Sequence, residues 1–244
     1  MDKKMFCFQC EQTAGCSGCT GNSGVCGKTA DTAKLQDELT GALISLAKAA
    51  DSTETISKRT GQIIIEGLFT TVTNVSFDNA AIENMIQKVR AEKERLVPDC
   101  RTEEYDLQQL WNANEDIRSL KSLILFGIRG MAAYAYHANV LNYEDAEVNQ
   151  FFCEALSKIG YEESTEALLS TVLKTGEINL KCMALLDKAN TETYGTPEPT
   201  EVTLTVEKGP FIVVTGHDLK DLQLLLEQTE GKGINLSLIH ISEP

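Results

Sequence analysis

Eight cysteines occur in the 244 residues, and five of them, Cys7, Cys10, Cys16, Cys19 and Cys26, fall within the first 26 positions. Their spacing is C-x2-C-x5-C-x2-C-x6-C, with glycine recurring at Gly15, Gly18, Gly21, Gly24 and Gly27. Thiolates are soft donors, so several on one loop suit tetrahedral zinc or an iron–sulfur cluster. Glycine gives such a loop the backbone freedom to wrap a small inorganic core and turn its N–H groups inward. Without prolines the three-residue glycine period is no collagen strand. Zinc ribbons set two C-x2-C knuckles about 15–20 residues apart. Here only five residues separate Cys10 from Cys16, which is tight for zinc and closer to iron–sulfur habits, and the spacing leaves both metals open. Cys100, Cys153 and Cys182 stand singly and read as buried core thiols.

The rest of the chain must position that loop. Its formal charge is 22 − 36 = −14, with 42% hydrophobic and 24% charged residues, the composition of an ordinary globular protein. A chain this long buries enough apolar surface to fold without disulfide staples, which frees the cysteines for other work. Reduced thiols belong to the cytoplasm, the expected location. The acidic balance and the lack of a basic run argue against nucleic acid and against an anionic membrane surface. No stretch approaches the roughly 18 apolar residues of a membrane span, since Ser122–Gly130 is interrupted by Arg129. Met1-Asp2-Lys3-Lys4 is not followed by the apolar segment of a signal peptide.

Behind the cysteines, Thr29 or Asp31 can cap a helix on Leu35, Leu39, Leu43 and Leu46 that runs to about Ala50. Ile82, Met85, Ile86 and Val89 carry another from about Asp78 to Leu96, ended by Pro98. Gln62–Val75 is rich in Ile, Val and Thr, yet its Ile64, Leu68, Val72 spacing reads as helix. Helical patterns continue over 103–112, 115–140, 144–159, 164–174 and 177–190, and Thr191–Thr200 is the best linker. Phe211–Val214 reads as a short buried strand, followed by a helix on Leu219, Leu222, Leu225 and Leu226. The expected fold is mainly α. It comprises a cysteine loop (1–28), a helical bundle (29–195) and the incomplete beginning of a Rossmann-like α/β domain (201–235). One βα unit cannot bury both faces of a sheet, so this last part is expected to be poorly stable.

Met5-Phe6-Cys7-Phe8-Gln9-Cys10-Glu11-Gln12-Thr13-Ala14, with Gly18-Cys19 and Gly24-Val25-Cys26-Gly27-Lys28, resembles the opening of the hybrid cluster proteins, also called prismane proteins or hydroxylamine reductases. The likeness continues through Leu35-Gln36-Asp37, Lys121-Ser122-Leu123 to Tyr134-Ala135-Tyr136-His137-Ala138, and Gly209-Pro210-Phe211 to Gly216-His217-Asp218-Leu219. The resemblance implies that Cys7, Cys10, Cys19 and Cys26 bind an iron–sulfur cluster, with Cys16 outside the set. The eight residues between Cys10 and Cys19 match short-gap members that carry [4Fe-4S], whereas longer-gap members carry [2Fe-2S]. The six residues between Cys19 and Cys26 are one more than in some short-gap members. It further implies an oxidoreductase of nitrogen metabolism that reduces a small N–O substrate, hydroxylamine, to ammonia and water, with nitric oxide as a related substrate. The electrons would come from a redox donor protein and pass to an iron–sulfur–oxygen hybrid cluster.

In the family the hybrid-cluster ligands lie beyond the stretch that this chain matches, so no catalytic residue is assigned. The expectation is a truncated reading frame that holds the electron-receiving cluster only and is itself inactive. Residues 236–244 back-translate to CTG TCT CTT ATA CAC ATC TCC GAG CCC, which resembles a transposase sequencing adapter, and are expected to be an artefact that includes His240. His137 reads as a packed or hydrogen-bonded residue, and His217, at a strand-to-helix turn, as a candidate for facing a pocket. Tyr134, Tyr136 and Tyr143 read as core or interface residues, and Glu103-Glu104 and Glu162-Glu163 as helix-start acids on solvated faces. Walker, G-x-G-x-x-G and G-x-S-x-G patterns are absent. The competing reading is a zinc-stabilised helical interaction module without redox activity; a relative of carbon monoxide dehydrogenases is a third.

Overall fold

The computed structural model describes residues 5–10, 17–51, 55–73, 75–98, 104–201, 205, 208–216 and 218–238. Helix α1 (Ala30–Ala50) begins where Thr29 Oγ1 accepts the Thr32 N–H at 3.2 Å, with Asp31 in its first turn and Lys48 in its last. Both charges suit the helix dipole. Nearly every residue from Leu39 to Ala47 is buried, so α1 is the bundle's central rod rather than a surface helix. Gly41 admits the segment before α4, because a Cβ there would stand 2.2 Å from the Tyr105 carbonyl oxygen.

Helices α2 (Lys58–Thr70), α3 (Asn79–Leu96) and α6 (Ala146–Tyr161) pack around that rod, and the short α4 (Leu107–Trp111) closes one end. The Ile- and Thr-rich stretch is helical as its spacing predicts, although the helix stops at Thr70, five residues early. Packing of Ile64, Ile65 and Leu68 against the core outweighs their strand propensity. Helix α5 (Glu115–Val140) lies along α7 (Thr165–Tyr194). α7 is one helix of 30 residues where two were expected, and at 1.5 Å per residue it spans about 45 Å. Its interior Gly176 costs only about 1 kcal/mol, too little to break a helix whose Thr175, Ile178 and Cys182 are buried. The linker therefore opens at Gly195, where φ is 92°.

Strand β1 (Phe211–Val213), helix α8 (Leu219–Thr229) and β2 (Asn235–Ser237) form a parallel βαβ unit, with Phe211 opposite Asn235 and Val213 opposite Ser237. Pairing thus takes in Leu236 and Ser237, past the boundary set at Asn235. The expected burial of β1 is corrected: Phe211, Ile212 and Val213 are all exposed, because two strands and one helix leave an open face. Among the described residues no helix is long and apolar enough to cross a membrane.

Glu92 ties α3 to the start of α2. Its fully buried carboxylate accepts from Thr60 Oγ1 at 2.7 Å, Arg95 Nη2 at 2.7 Å and Arg59 Nε at 3.0 Å. Those bonds, those from Arg95 foremost, hold its carboxyl below the ordinary range. Its stabilisation is therefore present at neutral pH and fades as pH falls through the depressed value. Glu92→Ala should cost about 2 kcal/mol by removing the charged acceptor shared by Arg95, Thr60 and Arg59, with the Thr60 hydroxyl keeping its bond to Ser57 Oγ at 2.8 Å, and Glu92→Gln about half that. Urea unfolding at neutral pH reads the loss, and the gap to the native chain should narrow near pH 3.

Candidate metal centre

The first described segment alternates with period two, as an extended chain does. Met5, Cys7 and Gln9 point inward and are buried, while Phe6 and Phe8 turn to the other side. There Phe6 meets the Trp111 ring at 5.0 Å between centroids, and Phe8 meets Trp111 at 4.4 Å and Phe126 at 5.9 Å. The aromatic side clamps the segment onto α4 and α5 and so aims Cys7 and Gln9 at α1.

Cys7 and Cys19 form an antiparallel bridge, with Cys7 N donating to the Cys19 carbonyl at 3.1 Å and Cys19 N to the Cys7 carbonyl at 2.8 Å. Gly18 makes this possible: its φ is +78°, and a Cβ would lie 3.0 Å from the Cys7 oxygen. A turn then carries the chain to Cys26, closed by Gly24 N donating to the Lys28 carbonyl at 2.8 Å and Gly27 N to the Gly24 carbonyl at 2.9 Å. Cys7, Cys10, Cys19 and Cys26 line one cavity together with Gln9, Lys28 and Thr73. A Cβ on Gly24 would stand 3.3 Å from Met5 Cε and 3.4 Å from Cys26 Sγ, so the turn passes close to that thiol.

Beneath the cysteines lies a buried polar network. Lys28 Nζ donates to Gln9 Oε1 at 2.7 Å, and Gln9 Nε2 donates to Asp37 Oδ1 at 2.5 Å and to the Ala33 carbonyl at 3.3 Å. Arg129, from the middle of α5, donates through Nη2 to Thr40 Oγ1 at 2.8 Å and reaches the Gln9 carbonyl at 3.5 Å. Burial pulls its guanidinium down to about 10, with Asp37, Cys7 and Cys10 pulling it back up, so it stays charged at neutral pH. Burial pushes the Cys7 thiol above its ordinary value while Lys28 draws it down.

All four cysteines named for a cluster therefore face one space. Among the described residues no three His, Cys, Asp or Glu side chains are placed to hold a single ion. The donor chemistry fits a cluster, in which each thiolate caps its own iron and the sulfurs stand farther apart than on one zinc. Cys16 and Cys100 lie outside the described residues, as do His217, His240 and Glu103. Cys153 and Cys182 are core thiols pushed up to about 12 by burial, bonded to the carbonyls of Ala47 and Met131. His137 packs edge-on to Phe69 and Tyr136 and meets Asp218 at 2.6 Å. Tyr136 stacks on Phe69, and the Tyr143 hydroxyl donates to Glu192. Glu162 accepts from the N–H groups of Glu163 and Ser164 at the start of α7. Glu104 departs from the helix-start reading, since it grips Arg90 through two bonds of 2.6 and 2.7 Å.

Sequence reasoning missed Gln9, Lys28, Asp37 and Arg129 as a unit. The available signal was Arg129 itself, a charge in the middle of an apolar helical run.

The Prismane/CO dehydrogenase family matches residues 5–238, and the chain belongs to it. A hydroxylamine reductase of Thermodesulfovibrio yellowstonii is 45% identical over 260 residues, covering 94% of this chain and 48% of that protein. Hydroxylamine reductases of Porphyromonas gingivalis and Clostridium perfringens are 42% and 41% identical, covering 97% and 95% of this chain and 48% of each. The chain spans about half the length of the curated relatives it matches.

Burial raises the Asp37 carboxyl to about 6, against hydrogen bonding from Gln9 and the pull of Arg129 and Lys28. Between about pH 4 and 6 the folded chain keeps a proton that the unfolded chain has lost, so this group's contribution falls as pH rises through that window. Asp37→Asn should remove that slope. In the metal-free protein the variant should gain about 2 kcal/mol on the native chain between pH 4 and 7, read by urea midpoints.

Proposed function

We propose that Cys7, Cys10, Cys19 and Cys26 hold an iron–sulfur cluster, [4Fe-4S] on the Cys10–Cys19 spacing, in the electron-receiving part of an oxidoreductase of the hybrid cluster type. The observation that carries the reading is the convergence of these four thiols, and only these among the described cysteines, on one cavity. When bound, the cluster supplies one-electron storage near the protein surface. The chain's own residues supply the rest: the Cys7–Cys19 bridge fixes two donors, and Lys28 offsets thiolate charge.

The whole protein's reaction follows from its relatives, named for reducing hydroxylamine. Two electrons and two protons break the N–O bond and release ammonia and water. A redox donor protein supplies the electrons, the N–O substrate is small, and the cytoplasm provides the reducing setting. The reaction would take place at a hybrid cluster to which this stretch contributes no assigned ligand.

Anaerobic purification tests the cluster directly. A brown protein with a broad band near ~400 nm that bleaches with dithionite is expected, whereas a colourless protein with one zinc would favour the helical interaction module. Serine at Cys7, Cys10, Cys19 or Cys26 should each cut iron content severalfold, while Cys16→Ser should leave it intact. If Cys16→Ser alone emptied the site, the ligand set would be wrong.

A further inference from the structure

The chain is strongly acidic, yet two cations are buried at the cysteine loop: Lys28 lines the cavity, and Arg129 lies behind it, reaching the carbonyl of the lining residue Gln9. Lys28 and Arg129 are 2% and 4% exposed. Among the described residues neither forms an ion pair: Lys28 donates to a neutral amide, and Arg129 to a hydroxyl and a carbonyl. Arg129 Nε is buried with no hydrogen-bond partner among the described residues. Desolvating a charge without compensation costs several kcal/mol, so the counter-charge must lie close by. Asp37 supplies one negative charge at most, for two cations. Asp106 acts on Asp37, and among the described residues the other negative charge beside these cations is that of the thiolates and whatever they hold, with Cys7 and Cys10 acting on Arg129.

Resting on the cluster reading above, we infer that Arg129 and Lys28 are positioning residues whose fixed buried charges stabilise the reduced, more negative state of the cluster and so raise its reduction potential. Cluster potentials follow net charge and burial, and both cations act from a dry side where screening by water is weak. The redox step is one electron taken from an external reductant, with no bond formed or broken. Thr40 and Gln9 hold the two charges in place: Thr40 Oγ1 accepts from Arg129 while donating to the Gln36 carbonyl at 2.8 Å, and Gln9 Oε1 accepts from Lys28.

The test is an EPR-monitored redox titration of the full chain reconstituted under anaerobic conditions, with iron content measured on the same samples. Arg129→Met and Lys28→Met should keep their iron, and at a fixed potential the ratio of reduced to oxidised cluster should fall about tenfold in each, ~59 mV for one electron. Arg129→Lys and Lys28→Arg keep the charge and should stay within about threefold of the native ratio, under ~30 mV. Unchanged ratios in both methionine variants overturn the inference. So does an Arg129→Lys shift as large as that of Arg129→Met, which would assign the effect to the guanidinium's hydrogen bonds. If Arg129→Met loses iron, Lys28→Met decides by the same criterion. A native chain that binds no iron sinks the cluster reading itself, a result distinct from an iron-loaded protein whose potential does not move.

Discussion

The side-chain amide of Gln9 is held on three sides: Lys28 donates to its oxygen, and its nitrogen donates to Asp37 and to the Ala33 carbonyl. Four parts of the molecule meet there. Gln9 belongs to the opening segment, Lys28 to the end of the cysteine turn, and Ala33 and Asp37 to α1, while Arg129 of α5 reaches the Gln9 carbonyl. A buried amide with all its bonds made is rigid, and one with a bond missing is costly, so the network fixes how the loop seats on the bundle. The cysteine geometry inherits its position from this contact. A neutral amide between a cation and a carboxylate also keeps Lys28 from neutralising Asp37 directly, which leaves positive charge available to the thiols.

The bundle's task is to make that burial possible. α1 is buried on all sides from Leu39 to Ala47, and α2, α3 and α6 enclose it. Its first three turns carry the polar residues Thr32, Gln36, Asp37 and Thr40, which face the loop and its neighbours. The same rod thus offers a dry core at one end and a hydrogen-bonding floor at the other. α5 crosses that floor and delivers Arg129 from a stretch otherwise built of Ile124, Leu125, Ile128 and Met131.

Much of this was legible in the sequence, for physical reasons. Helix starts at Thr29, Asp78 and Asn114 follow from capping side chains whose bonds are local in sequence. That close-spaced thiols suit a metal was legible from donor chemistry, whereas the choice of four among the five came from the family resemblance and not from their spacing. What escaped was non-local. The separate helices expected on either side of Gly176 fused, because burial of α7 against α5 outweighs one glycine. β1 is open because strand burial depends on neighbours that no short run encodes. Gln9 stands 120 residues from Arg129, and nothing in either sequence context announces the other. Arg129 looked like an interruption of an apolar stretch, and it is the charge that the stretch was built to bury.

The bridge between Cys7 and Cys19, residues 19 − 7 = 12 positions apart, closes a loop with two backbone hydrogen bonds. Drawing the ends of such a loop together from a free chain costs about 2 kcal/mol of entropy beyond a constant. Here folding has already met that cost through the peptide backbone, leaving the sulfurs untouched. On the cluster reading, two of the four donors are thus brought together by the backbone, and the segments bearing Cys10 and Cys26 supply the other two. A loop closed in this way would receive its cluster as a partly prepared host, in contrast to small metal-organised domains whose chain collects only once the metal is present.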